Sequence, residues 1–376
     1  MRIGLVIFPF VPSHGSLLQT FAIYTKLKEL GHDVTIINRR KPSLGFSAVI
    51  RRSYANLKSK VKGDYKGPVF YWGNTPKAIM KELMPFINSY FGSDVVTVYS
   101  CEETKRFVDN YSFDAFVVGS DQVWRPKYVP DIYHYYLDFL PADYKAKRIA
   151  FCPSFGTDDW EYSQEQTEKC KELLSRFDAV AVREKGGVNL CKSYLDQEVN
   201  HLLDPTILFP APKYFDVFVS KSSHLKSGVA SIYYLDFGEK KTTIVNNVCN
   251  SLCLTPDYIN NRIQDKNARL RDRIAPSLNK WMEGFAQADF VVTDSFHATM
   301  FALYFNKPFI TIINEQRGAA RFRSLMEDLK LQDRLVSSPE AVTQNLIKEQ
   351  IDWGRINDYF EKQRARSIQF LTNSLQ

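Results

Sequence analysis

Residues 289–313 read DFVVTDSFHATMFALYFNKPFITII, and the pattern changes three times along them. Phe290, Val291 and Val292 form the short β-branched and aromatic run of a buried strand. Thr293, Asp294 and Ser295 are small polar residues of the kind that cap a helix start. Ala298 to Phe305 is apolar at nearly every position, as a core helix would be. Asn306-Lys307-Pro308 ends it, and Phe309 to Ile313 reads as the next buried strand. This strand–turn–helix–strand unit predicts a parallel α/β sheet with His297 at its carboxyl edge. Ligands bind at that edge in open α/β sheets, and the exposed N–H groups of a helix start favour an anion there. A structural histidine satisfies the same spacing, so both readings stand at this point.

The unit recurs at the other end of the chain. Ile3 to Phe8 reads as a strand and Ser13-His14-Gly15-Ser16 as a turn. Leu17, Leu18, Phe21, Ala22, Tyr24, Leu27 and Leu30 then recur at helical spacing, and Asp33 to Asn38 gives a second strand. That is a βαβ unit, and it lacks the GxGxxG of a dinucleotide site. Ala115 to Gly119 is a strand ending in Ser120-Asp121, where Asp121 either accepts a proton or bonds its own turn. Tyr128 to Leu140 is dense in aromatics and suits either stacking on sugars or a surface hairpin. Arg148 to Phe151 and Ala179 to Val182 are further strands. The second ends at Arg183, placed either for an anion or for a nearby acid such as Glu184. Val229 to Leu235 restarts the pattern, followed by a helix around Lys241–Ser251 and a strand near Leu252–Ile259. Met326–Val336 and Ile351–Leu375 read as closing helices.

The predicted fold class is α/β, with two Rossmann-like domains facing a cleft. The expected divisions are residues 1–209, a linker at 210–226, a second domain at 227–345 and a last helix at 346–376 crossing back to the first domain.

With 376 residues, 44% hydrophobic and 24% charged, the chain has the composition of a soluble globular protein. No run approaches the roughly eighteen apolar residues of a spanning helix. Pro9 and Pro12 cut the first apolar run too early for a signal-peptide core, so a cytoplasmic protein is expected. Six cysteines without CxxC or histidine clusters predict reduced thiols, with neither disulfides nor a metal site. Cys152 precedes a turn but lacks an evident base, so it is not expected to be a nucleophile.

Charge is local. Residues 39–66 hold nine basic side chains and one acid, a net +8 against +7 for the whole chain. Leu44, Phe46, Val49, Ile50, Tyr54 and Leu57 are interleaved with them. Such a segment docks peripherally on an anionic membrane or on phosphate-bearing substrates, or else is a solvated excursion. The remaining surface offers no positive track, so nucleic acid is not an expected partner.

Taken together, SHGSLLQTFA (13–22), FVVGSDQVWRP (116–126), AVREKGG (181–187), DPT (204–206), ADFVVTDSFHATMFALYFNKPF (288–309) and RGAARFRSL (317–325) resemble the polysaccharide pyruvyl transferase family. The resemblance implies a GT-B-like pair of Rossmann-like domains. It also implies transfer of the pyruvyl group of phosphoenolpyruvate to two sugar hydroxyls, giving a cyclic ketal and phosphate, with no cofactor beyond that co-substrate. The acceptor would be a glycan or a lipid-linked intermediate at the inner face of the membrane. His297 would act at the phosphate as donor or general acid, Asp121 as acceptor-side base, and Arg183 would hold phosphate or carboxylate. Many relatives carry an arginine two residues before the histidine, where this chain has Ser295. Arg321, Arg323 and Lys307 are the candidates to replace it on the donor side. His14, which stands where relatives often have Asn, falls on the acceptor side with Ser120, Gln122 and Trp124. Two other readings compete: a GT-B glycosyltransferase using a nucleotide sugar, and a non-catalytic protein binding glycans or a membrane surface.

Overall fold

The computed structural model describes residues 1–42, 45–63, 69, 75–220, 226–313 and 318–376. Leu44, Asp64, Lys66, Arg317 and the 221–225 part of the expected linker lie outside them.

The first half runs β1 (Arg2–Ile7), α1 (His14–Glu29), β2 (Asp33–Arg39), α2 (Phe46–Val61), the short α3 (Thr75–Ile79) and α4 (Met84–Phe86), β3 (Val95–Val98), α5 (Cys101–Asp109), β4 (Ala115–Val118), β5 (Lys147–Phe151), α6 (Gln164–Leu174), β6 (Ala179–Val182), α7 (Lys185–Leu195) and β7 (Asn200–His201). Its strands form one seven-stranded sheet in the order β3-β2-β1-β4-β5-β6-β7, with every pairing parallel.

After α8 (Ala211–Phe218) the pattern restarts with β8 (Val229–Tyr233), α9 (Glu239–Leu252), β9 (Thr255–Tyr258), α10 (Leu278–Gln287), β10 (Phe290–Thr293), α11 (Phe296–Tyr304), β11 (Phe309–Ile312), α12 (Ala319–Leu329), β12 (Leu335–Val336), α13 (Gln344–Lys348) and α14 (Trp353–Leu375). Its strands form a parallel five-stranded sheet, β12-β11-β10-β8-β9. Strands buried on both faces are read as continuous apolar runs, which is why the central strands of both sheets were legible and the short edge strands β3, β7 and β12 were not. In both sheets the order reverses beside the first strand, so the carboxyl ends of β1 and β4 and of β8 and β10 open crevices.

One apolar core joins the halves, with Phe21 of α1, Tyr214 of α8, Trp281 of α10, Phe301 of α11 and Phe360 of α14 in a single cluster. The expected linker therefore contains a packed helix, because Tyr214 and Phe218 bury themselves against Phe21. α14 returns to the first half: Phe370 stacks on Phe151, and Arg364 Nε donates to Ile207 O at 2.8 Å. The expected helix at Met326–Val336 is corrected to the end of α12 and the short β12. Lys330 at φ 54° closes α12 in the left-handed region and redirects the chain.

The aromatic run also reads differently in three dimensions. Within it Tyr135, Tyr136 and Phe139 are core residues, neither a hairpin surface nor a sugar platform, as is Trp124 just before it, whereas Tyr128 at its start is exposed. No helix among the described residues is long and apolar enough to cross a membrane. All six cysteines are free thiols. Cys152 is fully buried, which pushes its thiol well up and leaves it unreactive.

Candidate functional site

Two helix starts meet where the halves face each other. On one side Ser13 caps α1, accepting from Ser16 N, and on the other Ser295 caps α11, accepting from Ala298 N. Thr293 Oγ1 locks the second turn by donating to Tyr233 O at 2.7 Å and accepting from Ser295 N at 3.0 Å. Asp294 accepts from Leu235 N at 2.7 Å and pairs with Lys241, tying the loop after β8 to the same turn. The two starts touch directly, since a Cβ on Gly15 would lie 2.0 Å from His297 Nδ1. Gly15 is therefore required by packing, not by the turn.

Beneath this contact lies a buried ion-pair chain. Arg183, at the end of β6 and with no exposed side-chain surface, places Nη1 2.8 Å from Asp204 Oδ2 and Nη2 3.4 Å from Asp121 Oδ1. The same Asp204 oxygen lies 3.4 Å from His297 Nε2, an ion-pair distance rather than an aligned hydrogen bond, and accepts from Gln19 Nε2 at 2.5 Å. The other Asp204 oxygen accepts from Thr206 N and Oγ1. Burial pushes the Asp204 carboxyl up, but His297 and Arg183 outweigh it and hold the group below its usual range.

Asp121 behaves alike: burial raises it, and Arg183, His297 and Arg321 together bring it below the ordinary value. It sits at φ 74°, bridged to Pro153, so the turn after β4 holds its carboxylate in a backbone conformation that disfavours a Cβ. Arg321, in the first turn of α12, reaches to 3.7 Å from Asp121 Oδ1 and lies over the Phe296 ring at 5.2 Å. Burial and the neighbouring Arg183 lower its guanidinium to about 10. Three helix starts, α1, α11 and α12, thus converge with a histidine, an arginine and a carboxylate.

A pocket of about 300 Å³ opens above them, lined by Asp121, Gln122, Ser295, His297 and Arg321, with Val11, Tyr128, Tyr233, Asn260 and Trp281 among the rest of its wall. The sequence-predicted residues divide accordingly. His297, Asp121, Ser295, Arg321 and Gln122 are brought together. Of the three candidates to replace the missing arginine, Arg321 alone lines the pocket. Arg323 points outward, 3.8 Å from Asp158, and Lys307 lies in the turn before β11, at the opposite edge of the sheet. Those two donor-side assignments are corrected. Arg183 is corrected to an underlying position, paired directly with Asp204 and Asp121, with Glu184 adding its charge from further off.

Three acceptor-side assignments are corrected as well. Trp124 is fully buried and donates from Nε1 to Tyr135 O at 3.0 Å. Ser120 donates to Cys152 O. His14 donates from Nε2 to Pro276 O at 2.8 Å and stacks on Trp281 at 5.3 Å, and burial lowers it to about 4.

Sequence reading passed over Asp204, quoted only within its motif, and the pocket residues Val11 and Asn260, whereas Tyr128 was read as the start of the aromatic run. The signal for Val11 and Asn260 was present, since each follows a strand at its carboxyl end. No group of three His, Cys, Asp or Glu able to hold a metal occurs among the described residues.

Residues 14–316 match the polysaccharide pyruvyl transferase family, and the chain belongs to it. No curated protein matches the chain. Among solved structures it is similar to a putative UDP-N-acetylglucosamine 2-epimerase from Listeria monocytogenes, at 10% identity and a TM-score of 0.55 over 97% of this chain and 90% of that one. It is also similar to a UDP-glucosyltransferase from Polygonum tinctorium, at 11% identity and a TM-score of 0.51 over 100% and 97%. At these identities the likeness establishes the GT-B architecture alone.

Proposed function

We propose that this member of the polysaccharide pyruvyl transferase family moves the pyruvyl group of phosphoenolpyruvate onto two hydroxyls of one sugar. The carrying observation is the meeting of Arg321, His297 and Asp121 at one small pocket beside three helix starts. Phosphoenolpyruvate is compact and has two anionic groups. Arg321 and the N–H groups at the starts of α11 and α12 suit them. His297 lines the pocket with Nε2 turned to Asp204, and on this reading its other ring nitrogen, Nδ1, donates to the departing phosphate. Asp204 and Arg183 position it and do not touch substrate.

Asp121 remains ionised at neutral pH and accepts the proton of an attacking hydroxyl. Its low basicity suffices because an oxocarbenium-like carbon demands little of its base. Two C–O bonds form to the sugar and the bond between the pyruvyl carbon and the phosphate ester oxygen breaks. The two hydroxyl protons end on the new methyl group and on the released phosphate. The reading invokes phosphoenolpyruvate as co-substrate and no cofactor. Ser295 would cap the donor side and Gln122 would face the acceptor. The acceptor would be a sugar on a glycan or lipid-linked intermediate, met at the inner face of the membrane.

The test is incubation with phosphoenolpyruvate and candidate nucleotide-linked or lipid-linked sugars, with products weighed and phosphate measured. A product gaining one pyruvate as a ketal, with one phosphate released, is expected. Sugar transfer from a nucleotide donor would contradict the reading, as would retained sugar with no phosphate release.

A further inference from the structure

α2 follows β2 by a few residues and therefore emerges at the carboxyl edge of the first sheet. β2 neighbours β1 in register, with Ile7 opposite Asn38, and the loop after β1 lines the pocket. Helices normally hide their apolar face, but this one does the reverse. Its half-covered residues are Ala48, Val49, Ser53, Asn56 and Ser59, mostly small or polar, and Asn56 Nδ2 donates inward to Val69 O. Its exposed residues include Ile50 at 53%, Tyr54 at 69%, Leu57 at 46% and Val61 at 82%.

At 3.6 residues per turn those four fall within an arc of about 60° on one outward stripe. Arg51, Lys58 and Lys62 flank the stripe on one side and Lys60 on the other, all exposed, and residues 46–63 contain no acid. No side-chain cap holds its start. Among the described side chains of this sixteen-residue helix none is fully buried and none caps its start, and such a helix is marginal in water, so the stripe calls for a cover. An apolar stripe rimmed by long basic side chains fits the interface of an anionic bilayer, where the chain heads reach the phosphates and the stripe enters the acyl boundary.

We propose that α2 is an interfacial helix that lays Ile50, Tyr54, Leu57 and Val61 into an anionic membrane surface. It holds the cleft beside lipid-carried acceptors, and in that consequence rests on the reading above. The membrane contact itself does not depend on it.

The experiment is co-sedimentation of the full chain with vesicles of phosphatidylcholine alone and of phosphatidylcholine with phosphatidylglycerol. Capture by the anionic vesicles, weakened by salt, is expected, with little capture by the neutral ones. Tyr54→Asp with Leu57→Asp abolishes capture, and Lys58→Ala and Lys62→Ala each weaken it about fivefold. Since these side chains face outward, transfer to a water-soluble acceptor stays unchanged, which separates failure of this proposal from failure of the assigned reaction. Equal capture by both vesicles, or capture by neither, overturns it. So does a dimer in solution that the double variant dissociates while vesicle capture is absent, because the stripe would then be a contact between copies.

Discussion

The starts of α1 and α11 are built from the same parts: a strand, a capping serine and a histidine in the first helical turn. Their histidines have opposite fates. His14 meets Trp281 and a backbone carbonyl from the other half of the chain, so it is stacked, neutral and wholly enclosed. His297 meets Asp204 on one side and the bare Cα of Gly15 on the other, and it lines the pocket. A local motif therefore places a side chain at the sheet's edge, while the residues facing it decide whether it clamps or reacts. One corner fastens the halves together and the other uses the seam they form.

Asp204→Ala attacks the reactive corner and is expected to have the larger effect. It leaves Arg183 buried without its closest carboxylate and unpins His297. The loss of stability should be about 3–5 kcal/mol by urea denaturation. If the variant kept wild-type stability, Asp204 would not be the keystone of that corner.

The clamp should show itself in pH. A histidine whose folded pKa is near 4 and unfolded pKa 6.5 contributes nothing to the pH dependence above 6.5. As pH falls from 6.5 towards 4, the unfolded chain takes up a proton that the folded chain refuses, so stability drops, by up to about 3 kcal/mol. His14→Gln, which retains a donor for Pro276 O, should flatten the decline in that window without removing it, because burial also lowers His134 to about 3. Asp121 and Asp204 act in the same sense at lower pH: they stabilise above the unfolded carboxylate range, and that contribution is lost as pH falls through their depressed values. An unchanged decline between pH 6.5 and 4 in His14→Gln would mean that the ring is protonated in place.

The central strands of both sheets were legible in the sequence because buried parallel strands announce themselves as apolar runs between polar turns, whereas the short edge strands β3 and β7 were not read and β12 was read as helix. Legible too was the carboxyl-edge location of His297, Asp121 and Arg183, since strand ends fix it. What periodicity cannot carry is which side of an edge residue meets the other half of the chain. Trp124 and His14 looked like substrate contacts for that reason, and Arg183 looked free to bind an anion although Asp204 and Asp121 already occupy it. The choice among Arg321, Arg323 and Lys307 depended on the helix start at Ala319 and on which end of β11 a residue occupies. The outward apolar stripe of α2 was visible only as interleaving, because sequence does not say which face the protein covers.

The most direct measurement is calorimetry of phosphoenolpyruvate against UDP, GDP and CMP, on the wild-type chain and on Arg321→Ala, Arg323→Ala and Lys307→Ala. Saturable phosphoenolpyruvate binding is expected, weakened by about tenfold or more in Arg321→Ala, as for loss of a charged hydrogen bond, and unchanged in the other two. Nucleotide binding tighter than phosphoenolpyruvate binding, or equal loss in all three variants, would contradict the pocket as the donor site.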